Sequence, residues 1–258
     1  MTKDYAAYFI DLDGTMYKGK ERIPAAARFI RRLQAHRKKI VFVTNNSTRT
    51  PEFVAKNLTE NHDINVTAAN VYTTALATAD YLDSIAGDKR RVYMIGESGL
   101  ANALRRHNFV LTDCKPDYVV VGLDTEVTYQ KFEQAVLAIR NGAEFIGTNA
   151  DSNLPNERGM VPGAGSLVAL VQYATQRLPL MIGKPEKTIM QMALQRFNLS
   201  KDEVIMVGDN YRTDITAGIN VGMDTLLVYT GLSTKKEVSK QRIKPTYEVD
   251  SLDEWKME

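Results

Sequence analysis

Phe9-Ile10-Asp11-Leu12-Asp13-Gly14-Thr15 is the stretch on which the fold turns. An apolar run, Tyr8-Phe9-Ile10, leads straight into two aspartates one residue apart, and Gly14 and Thr15 follow at once. Carboxylates are costly to bury unpaired. Two of them at i and i+2 repel each other unless a cation sits between or beside them. Open α/β sheets place ligands beyond the carboxyl ends of their strands. The stretch therefore reads as a buried first strand whose tip is a metal-dependent site. Taken alone, Asp-x-Asp-Gly-Thr is also an ordinary strand-to-turn transition, because Asp and Gly favour turns.

Outward from that tip, strand and helix patterns alternate almost to the end of the chain. Residues 6–11 and 39–43 read as strands. A helix opens at Pro24, where a missing N–H costs nothing, and another opens at Pro51. A short strand at 71–72 and a helix at 74–85 complete a first set. The composition turns polar at Gly87-Asp88-Lys89-Arg90-Arg91. A second set follows, with strands at 92–95, 118–121 and 144–146 and helices at 98–107, 129–140 and 165–175. Residues 180–185 read as a strand ending in Lys184. Beyond it come a helix at 186–197, a buried strand at 204–207, a helix at 213–218, a strand at 225–229, and a last strand and short helix at 246–249 and 252–255. This β-α-β-α order predicts a parallel sheet with helices on both faces. Residues 148–162, rich in Asn, Pro, Gly and Asp, read as the longest structureless run, and loops of that length are often functional.

The 258 residues fit one large domain or two modest ones. With 44% apolar residues the core can be sizeable without disulfides or a structural metal. Lys plus Arg is 33 against 31 Asp plus Glu, a net charge of +2, so no basic field points to nucleic acid. The basic run from Arg31 to Lys39 reads as the solvated end of one helix. Cys114 is the sole cysteine and has no CxxC spacing. No apolar signal segment precedes the first strand, and no stretch approaches the ~20 apolar residues of a membrane span. The expectation is a cytoplasmic protein with neither a membrane nor a nucleic-acid partner.

Four strand tips carry polar groups of a particular kind. The first gives Asp11 and Asp13, and the second gives Thr44, Asn45, Asn46 and Ser47. A later tip gives Lys184, and another gives Asp209 and Asn210, with Asp214 five residues on. Each tip alone has an ordinary reading: a helix N-cap for Thr44 to Ser47, a surface lysine, a turn at Gly208-Asp209-Asn210. Together, on adjacent parallel strands, they converge on phosphoryl-transfer chemistry. Thr44, Asn45 and backbone N–H groups can donate to phosphate oxygens. Lys184 and a divalent cation can neutralise its charge. One carboxylate can attack phosphorus, and a second two residues away can move protons. An all-oxygen ligand set, with no Cys or His cluster, favours Mg²⁺ over zinc. Gly163-Ala164-Gly165 shares two glycines with a dinucleotide fingerprint, but Val168 stands where the third is needed. The three histidines, His36, His62 and His107, have no ligand spacing.

With these motifs the chain resembles the haloacid dehalogenase superfamily of phosphatases, and within it the NagD or 4-nitrophenylphosphatase subfamily. Asp11-Leu12-Asp13-Gly14-Thr15, Thr44-Asn45-Asn46-Ser47, Gly147-Thr148-Asn149-Ala150-Asp151, Gly183-Lys184-Pro185 and Gly208-Asp209-Asn210-Tyr211-Arg212-Thr213-Asp214 carry the resemblance. It implies an α/β fold: a Rossmann-like core over 1–80 and 180–258, and an inserted α/β cap domain over 81–179. By the same resemblance Asp11 is the nucleophile and a Mg²⁺ ligand, and Asp13 the general acid/base that binds Mg²⁺ through its carbonyl. Thr44 and Asn45 would hold phosphate with Lys184, and Asp209 would bind Mg²⁺. Asp214, beside Asn210, would order Lys184 or a metal-bound water from behind. The cap loop near Asp151, Asn153 and Leu154 would contribute to substrate choice. Its residues name no substrate, so sugar phosphates, nucleoside monophosphates and pyridoxal phosphate all stay open. A sheet-bearing cap is compatible with a homodimer. The competing readings are a phosphorylated receiver-like signalling module, which would be near half this length, and a phosphomutase or dehalogenase of the same fold.

Overall fold

The computed structural model describes residues 3–156 and 158–257. Ala7–Ile10 (β1) is buried at every position, as a short apolar strand covered on both faces must be. Its side chains alternate. Tyr8 meets Phe29 edge-to-face at 5.8 Å between ring centroids, and Phe9 meets Phe197 at 6.4 Å. Phe29 and Phe197 belong to different helices, so the strand is clamped from above and below.

From β1 the chain makes a small hairpin, Tyr17–Lys18 (β2) and Glu21–Arg22 (β3). Helix α1, Pro24–Ala35, has Pro in its first turn and buries Ala26, Phe29, Ile30 and Leu33 along one face. Then come Lys39–Thr44 (β4), Pro51–His62 (α2) and Val71–Thr73 (β5). The next stretch holds Thr74–Ala86 (α3), Arg91–Ile95 (β6), Ser98–Arg106 (α4), Val110–Leu111 (β7), Tyr118–Val121 (β8), Tyr129–Arg140 (α5) and Glu144–Gly147 (β9). It continues with Asn153–Asn156 (β10), Gly159–Pro162 (β11), Ala164–Thr175 (α6) and Leu180–Met181 (β12). The chain closes with Lys187–Phe197 (α7), Val204–Gly208 (β13), Thr216–Val221 (α8), Asp224–Val228 (β14), Lys235–Val238 (α9) and Tyr247–Val249 (β15).

Two compact units result. Residues 1–44, 51–72 and 184–258 form the first, and residues 45–50 and 73–183 the second. In the first, six strands run in the order β15-β14-β13-β1-β4-β5. The pairs β1/β13, β1/β4, β13/β14 and β14/β15 are parallel. Tyr8, Ile10, Phe29, Leu33, Phe42, Val207 and Leu226 share its core. In the second, five strands run β12-β9-β8-β6-β7, all parallel. Its core holds Ile95, Val119, Val121, Ile139, Phe145 and Val171. Thr73 caps α3 by accepting from the Leu76 N–H at 3.2 Å, and Thr128 caps α5 likewise from Lys131. Helix α3 lies in this second unit from its first residue, whereas the sequence reading holds residues up to 80 in the core.

Three local expectations change. Residues 148–162 are not structureless: β10 and β11 pair antiparallel, Leu154 opposite Val161, and the Gly163 N–H to Ser152 carbonyl bond closes the hairpin at 3.0 Å. Its prolines sit where an isolated two-stranded ribbon tolerates them, and that composition hides the pairing. No core strand returns at Leu180. Strand β12 is two residues long and pairs with β9 in the second unit, and Lys184 enters the first unit on a loop. A short apolar run cannot say which sheet it joins. The helix expected at 213–218 starts earlier, as a wide turn over Tyr211–Ile215 that runs into α8. Asn210 caps this turn by accepting from the Arg212 N–H at 3.0 Å. Strands β2, β3 and β7 are two residues each and leave no period to read.

Candidate active site

Parallel pairing decides what meets what. Ile10 pairs with Val207 on one side and Phe42 on the other, so β1, β4 and β13 end together. Asp11, Thr44 and Asp209 then stand at one carboxyl edge. Asp11 keeps the strand direction, since its N–H still bonds the Val207 carbonyl at 2.9 Å. Lys184 reaches this edge from the loop before α7. Its Nζ donates to Asp11 Oδ1 at 2.6 Å and to the Val43 carbonyl at 2.8 Å, and pairs with Asp214 Oδ1 at 2.8 Å. The ammonium is only 2% exposed, the Asp11 side chain 13%.

Asp214 is turned inward by the wide turn at 211–215, and its Oδ2 accepts from the Asn210 N–H at 3.1 Å. Asp209 is held at both oxygens: Thr15 Oγ1 donates to Oδ1 at 3.2 Å and the Leu232 N–H to Oδ2 at 2.7 Å. Gly14 has φ +91°, and a Cβ there would lie 2.5 Å from the Asp209 carboxyl carbon. Glycine is thus required twice over, by conformation and by space. A Cβ on Gly231 would come within 1.8 Å of Asp209 Oδ2.

One carboxylate oxygen each from Asp11, Asp209 and Asp214 lies within 4.8 Å of the others. Three ionised carboxylates and one ammonium leave two negative charges in a buried space, and a divalent cation is the group that cancels them. The titration behaviour agrees. Burial, then the charge of Asp214, pushes the Asp11 carboxyl well above its ordinary range, against the pull of Lys184. Burial and Asp214 push Asp209 up to about 6. Burial pulls Lys184 down, but Asp11 and Asp214 outweigh it and hold the ammonium charged. The donors are all oxygen, which suits a hard cation.

Asp13 is exposed on the turn beyond β1, and its Oδ1 accepts from the Gly19 N–H at 3.1 Å. Thr44 is buried at the end of β4. Asn45 falls in the second unit. Its side-chain amide donates to both Asp151 oxygens at 3.1 Å, and its carbonyl accepts from Thr74 Oγ1 at 2.6 Å and Asn149 Nδ2 at 2.8 Å. The amide expected to contact phosphate is therefore engaged with Asp151 of the expected selectivity loop. Asn153 and Leu154 lie on β10, Asn153 exposed and Leu154 half-buried. Sequence reasoning missed three contributors: Thr15 as a partner of Asp209, the Val43 carbonyl, and the Thr230-Gly231-Leu232 loop. The last had a signal, since the apolar strand before it also runs into a polar turn, Thr230-Gly231.

A profile of haloacid dehalogenase-like hydrolases matches residues 8–110, and a HAD-hydrolase-like profile matches residues 181–255. A 5'-nucleotidase, YutF, of Bacillus subtilis is 47% identical over 253 residues, 98% of either chain. An acid sugar phosphatase of Staphylococcus saprophyticus is 49% identical over 98% of this chain and 97% of its own. Among solved structures, a mutant thermostable NPPase from Geobacillus stearothermophilus superposes with TM-score 0.92 at 48% identity, covering 99% of this chain and 100% of that one. NagD from Escherichia coli K-12 superposes with TM-score 0.92 at 30% identity over 98% and 99%.

Proposed function

The chain belongs to the haloacid dehalogenase-like hydrolases, and from that premise we propose that it is a Mg²⁺-dependent phosphatase of small phosphomonoesters. The observation that carries this reading is Lys184 Nζ set between Asp11 and Asp214, with Asp209 alongside. Asp11 and Asp209, with the carbonyl of Asp13, would hold the cation. When bound, Mg²⁺ supplies charge neutralisation for the carboxylates and the transferring phosphoryl group.

Lys184 fixes Asp11 Oδ1, which leaves Oδ2 to attack phosphorus. The new P–O bond to Asp11 forms as the ester P–O bond breaks, and Asp13 gives its proton to the leaving oxygen. Asp13 then takes a proton from a water that attacks the phosphorus of the aspartyl phosphate; the new P–O bond forms as the P–O bond to Asp11 breaks, freeing the Asp11 carboxylate and phosphate. Thr44 donates to the phosphoryl oxygens, and Asp214 orients Lys184. The substrate is a small phosphorylated metabolite, for which a sugar phosphate and a nucleotide are the candidates that the relatives' names support. The second unit, through the Asp151 loop, governs which is taken. Among the described residues no helix is long and apolar enough to cross a membrane.

The test is hydrolysis of 4-nitrophenyl phosphate with Mg²⁺, then with EDTA, then by Asp11→Asn. Activity is expected in the first case alone, and acid quenching should trap phosphate on the wild-type protein. Turnover that survives EDTA or Asp11→Asn rejects the mechanism. Phosphate that stays on Asp11 without release favours the receiver-like alternative.

A further inference from the structure

Asp13 is exposed, so burial does not hold its carboxylate in place. The carboxylate accepts from the Gly19 N–H at 3.1 Å, in the turn of the hairpin that Tyr17 begins, and its backbone is tied to Tyr17. The Gly14 N–H bonds the Tyr17 carbonyl at 2.7 Å, Asp13 and Tyr17 form a β-bridge, and the Met16 N–H returns to the Leu12 carbonyl at 2.7 Å. The turn bearing Asp13 closes on Tyr17.

Tyr17 in turn begins the hairpin β2–β3, whose strands have two residues each. A ribbon that small does not hold itself. Two contacts tie it to the last turn of α2. The Tyr17 ring stacks on the His62 imidazole, with centroids 4.4 Å apart and planes 21° from parallel. Arg22 Nε donates to the Asn61 carbonyl at 2.5 Å. His62 lies on the apolar stripe of α2 with Pro51, Val54, Ala55 and Leu58. It is 4% exposed, and its Nδ1 has no hydrogen-bond partner among the described residues. A buried ring nitrogen without a partner is unfavourable. The ring lays its flat face on Tyr17.

We propose that His62 is a positioning residue for Asp13, acting through the Tyr17 stack, with Arg22 as the second half of the clasp. The proposal rests on the reading of Asp13 as the proton donor. A displaced donor is felt most by a leaving group that needs the proton. On an alkyl phosphate, His62→Ala and Tyr17→Leu are expected to lower kcat/KM by about tenfold or more, since general acid catalysis is worth about 10²–10⁴-fold. On 4-nitrophenyl phosphate, whose leaving group departs as a stable anion, the loss should stay below about threefold. His62→Phe keeps a flat ring and should restore the alkyl phosphate rate. Arg22→Ala, at an exposed position, should shift the ratio of the two substrates in the same direction and decides the matter should His62→Ala not fold. Equal losses on both substrates, or no loss on the alkyl phosphate, overturn the proposal. Asp13→Asn is the control. If it shows the leaving-group signature and the clasp variants do not, the proposal falls alone. If Asp13→Asn lacks the signature, the reading of Asp13 falls and the proposal with it.

Discussion

Replacing Lys184 by methionine removes the one cation from a buried set of three carboxylates and leaves the volume filled. The ammonium sits 2.6 Å from Asp11 Oδ1 and 2.8 Å from Asp214 Oδ1. At an effective dielectric of about 20, each such pair is worth roughly 6 kcal/mol before desolvation. Burying the ammonium offsets much of that, and breaking a buried pair by removing one partner costs about 3–5 kcal/mol net. The assay is urea unfolding in EDTA, followed at Trp255. It is the chain's only tryptophan, lies in the first unit, and donates to the Tyr8 hydroxyl at 3.3 Å. A loss of about 3–5 kcal/mol at pH 7 is expected.

The pH dependence of that loss carries a definite sign. Asp11 already sits above its unfolded value, and without Lys184 it rises further. A folded-state pKa above the unfolded one means that the folded state takes up the proton first, so this contribution improves as pH falls toward about 3.9. The penalty of Lys184→Met should therefore shrink between pH 7 and pH 5, by up to about 1.4 kcal/mol per unit for one proton. A penalty below about 1 kcal/mol at pH 7, or one that grows on acidification, refutes the reasoning.

Gly231→Ala places a Cβ where Asp209 Oδ2 stands; calorimetric titration should show Mg²⁺ affinity lowered by about 10–100-fold, the usual cost of disturbing a metal ligand's support. The rise in melting temperature on adding Mg²⁺ should increase from pH 5 to pH 7.5, because Asp209, with its pKa near 6, must shed its proton to bind; a rise that is largest at pH 5 contradicts this. Phe9→Ala removes a fully buried ring packed on Phe197 and should cost about 3–5 kcal/mol in the same Trp255-monitored unfolding. Thr73→Ala deletes the cap of α3 and should cost about 1 kcal/mol, seen as faster amide exchange at Leu76 while exchange in β1 is unchanged.

The first strand was legible because Tyr8, Phe9 and Ile10 are all apolar and stop abruptly at a charge. Covered strands of this kind need no partner to be recognised, and Val204–Gly208 was legible for the same reason. The meeting of Lys184 with Asp11 was legible, but the place of Lys184 was misread as a strand end. The apolar run before it belongs to another sheet, and pairing across the chain decides that, not local period. The hairpin at Asn153–Pro162 was hidden because its prolines and glycines are turn formers, and only the cross-strand match of Leu154 with Val161 reveals it. Asn45 was legible as polar but not as bonded. Its partner Asp151 lies 106 positions away, and nothing local announces so distant a contact. The His62–Tyr17 stack was invisible for a like reason, since a lone histidine carries no ligand spacing.

The strand order also has a consequence for synthesis. β1 stands at the middle of its sheet, between β4 and β13, and Ala7 pairs with Val204. The ribosome therefore makes the central strand first and one of its two neighbours roughly 200 residues later. At about 5–20 residues per second, that is a wait of roughly 10–40 s. β4 arrives early and can cover one edge, while the other edge of an entirely apolar strand stays open, the condition under which strands pair with the wrong chain. Residues 73–183, which make up most of the second unit, emerge within that interval. The nascent chain thus has a nearly contiguous unit to fold while its first strand still lacks one of its two neighbours.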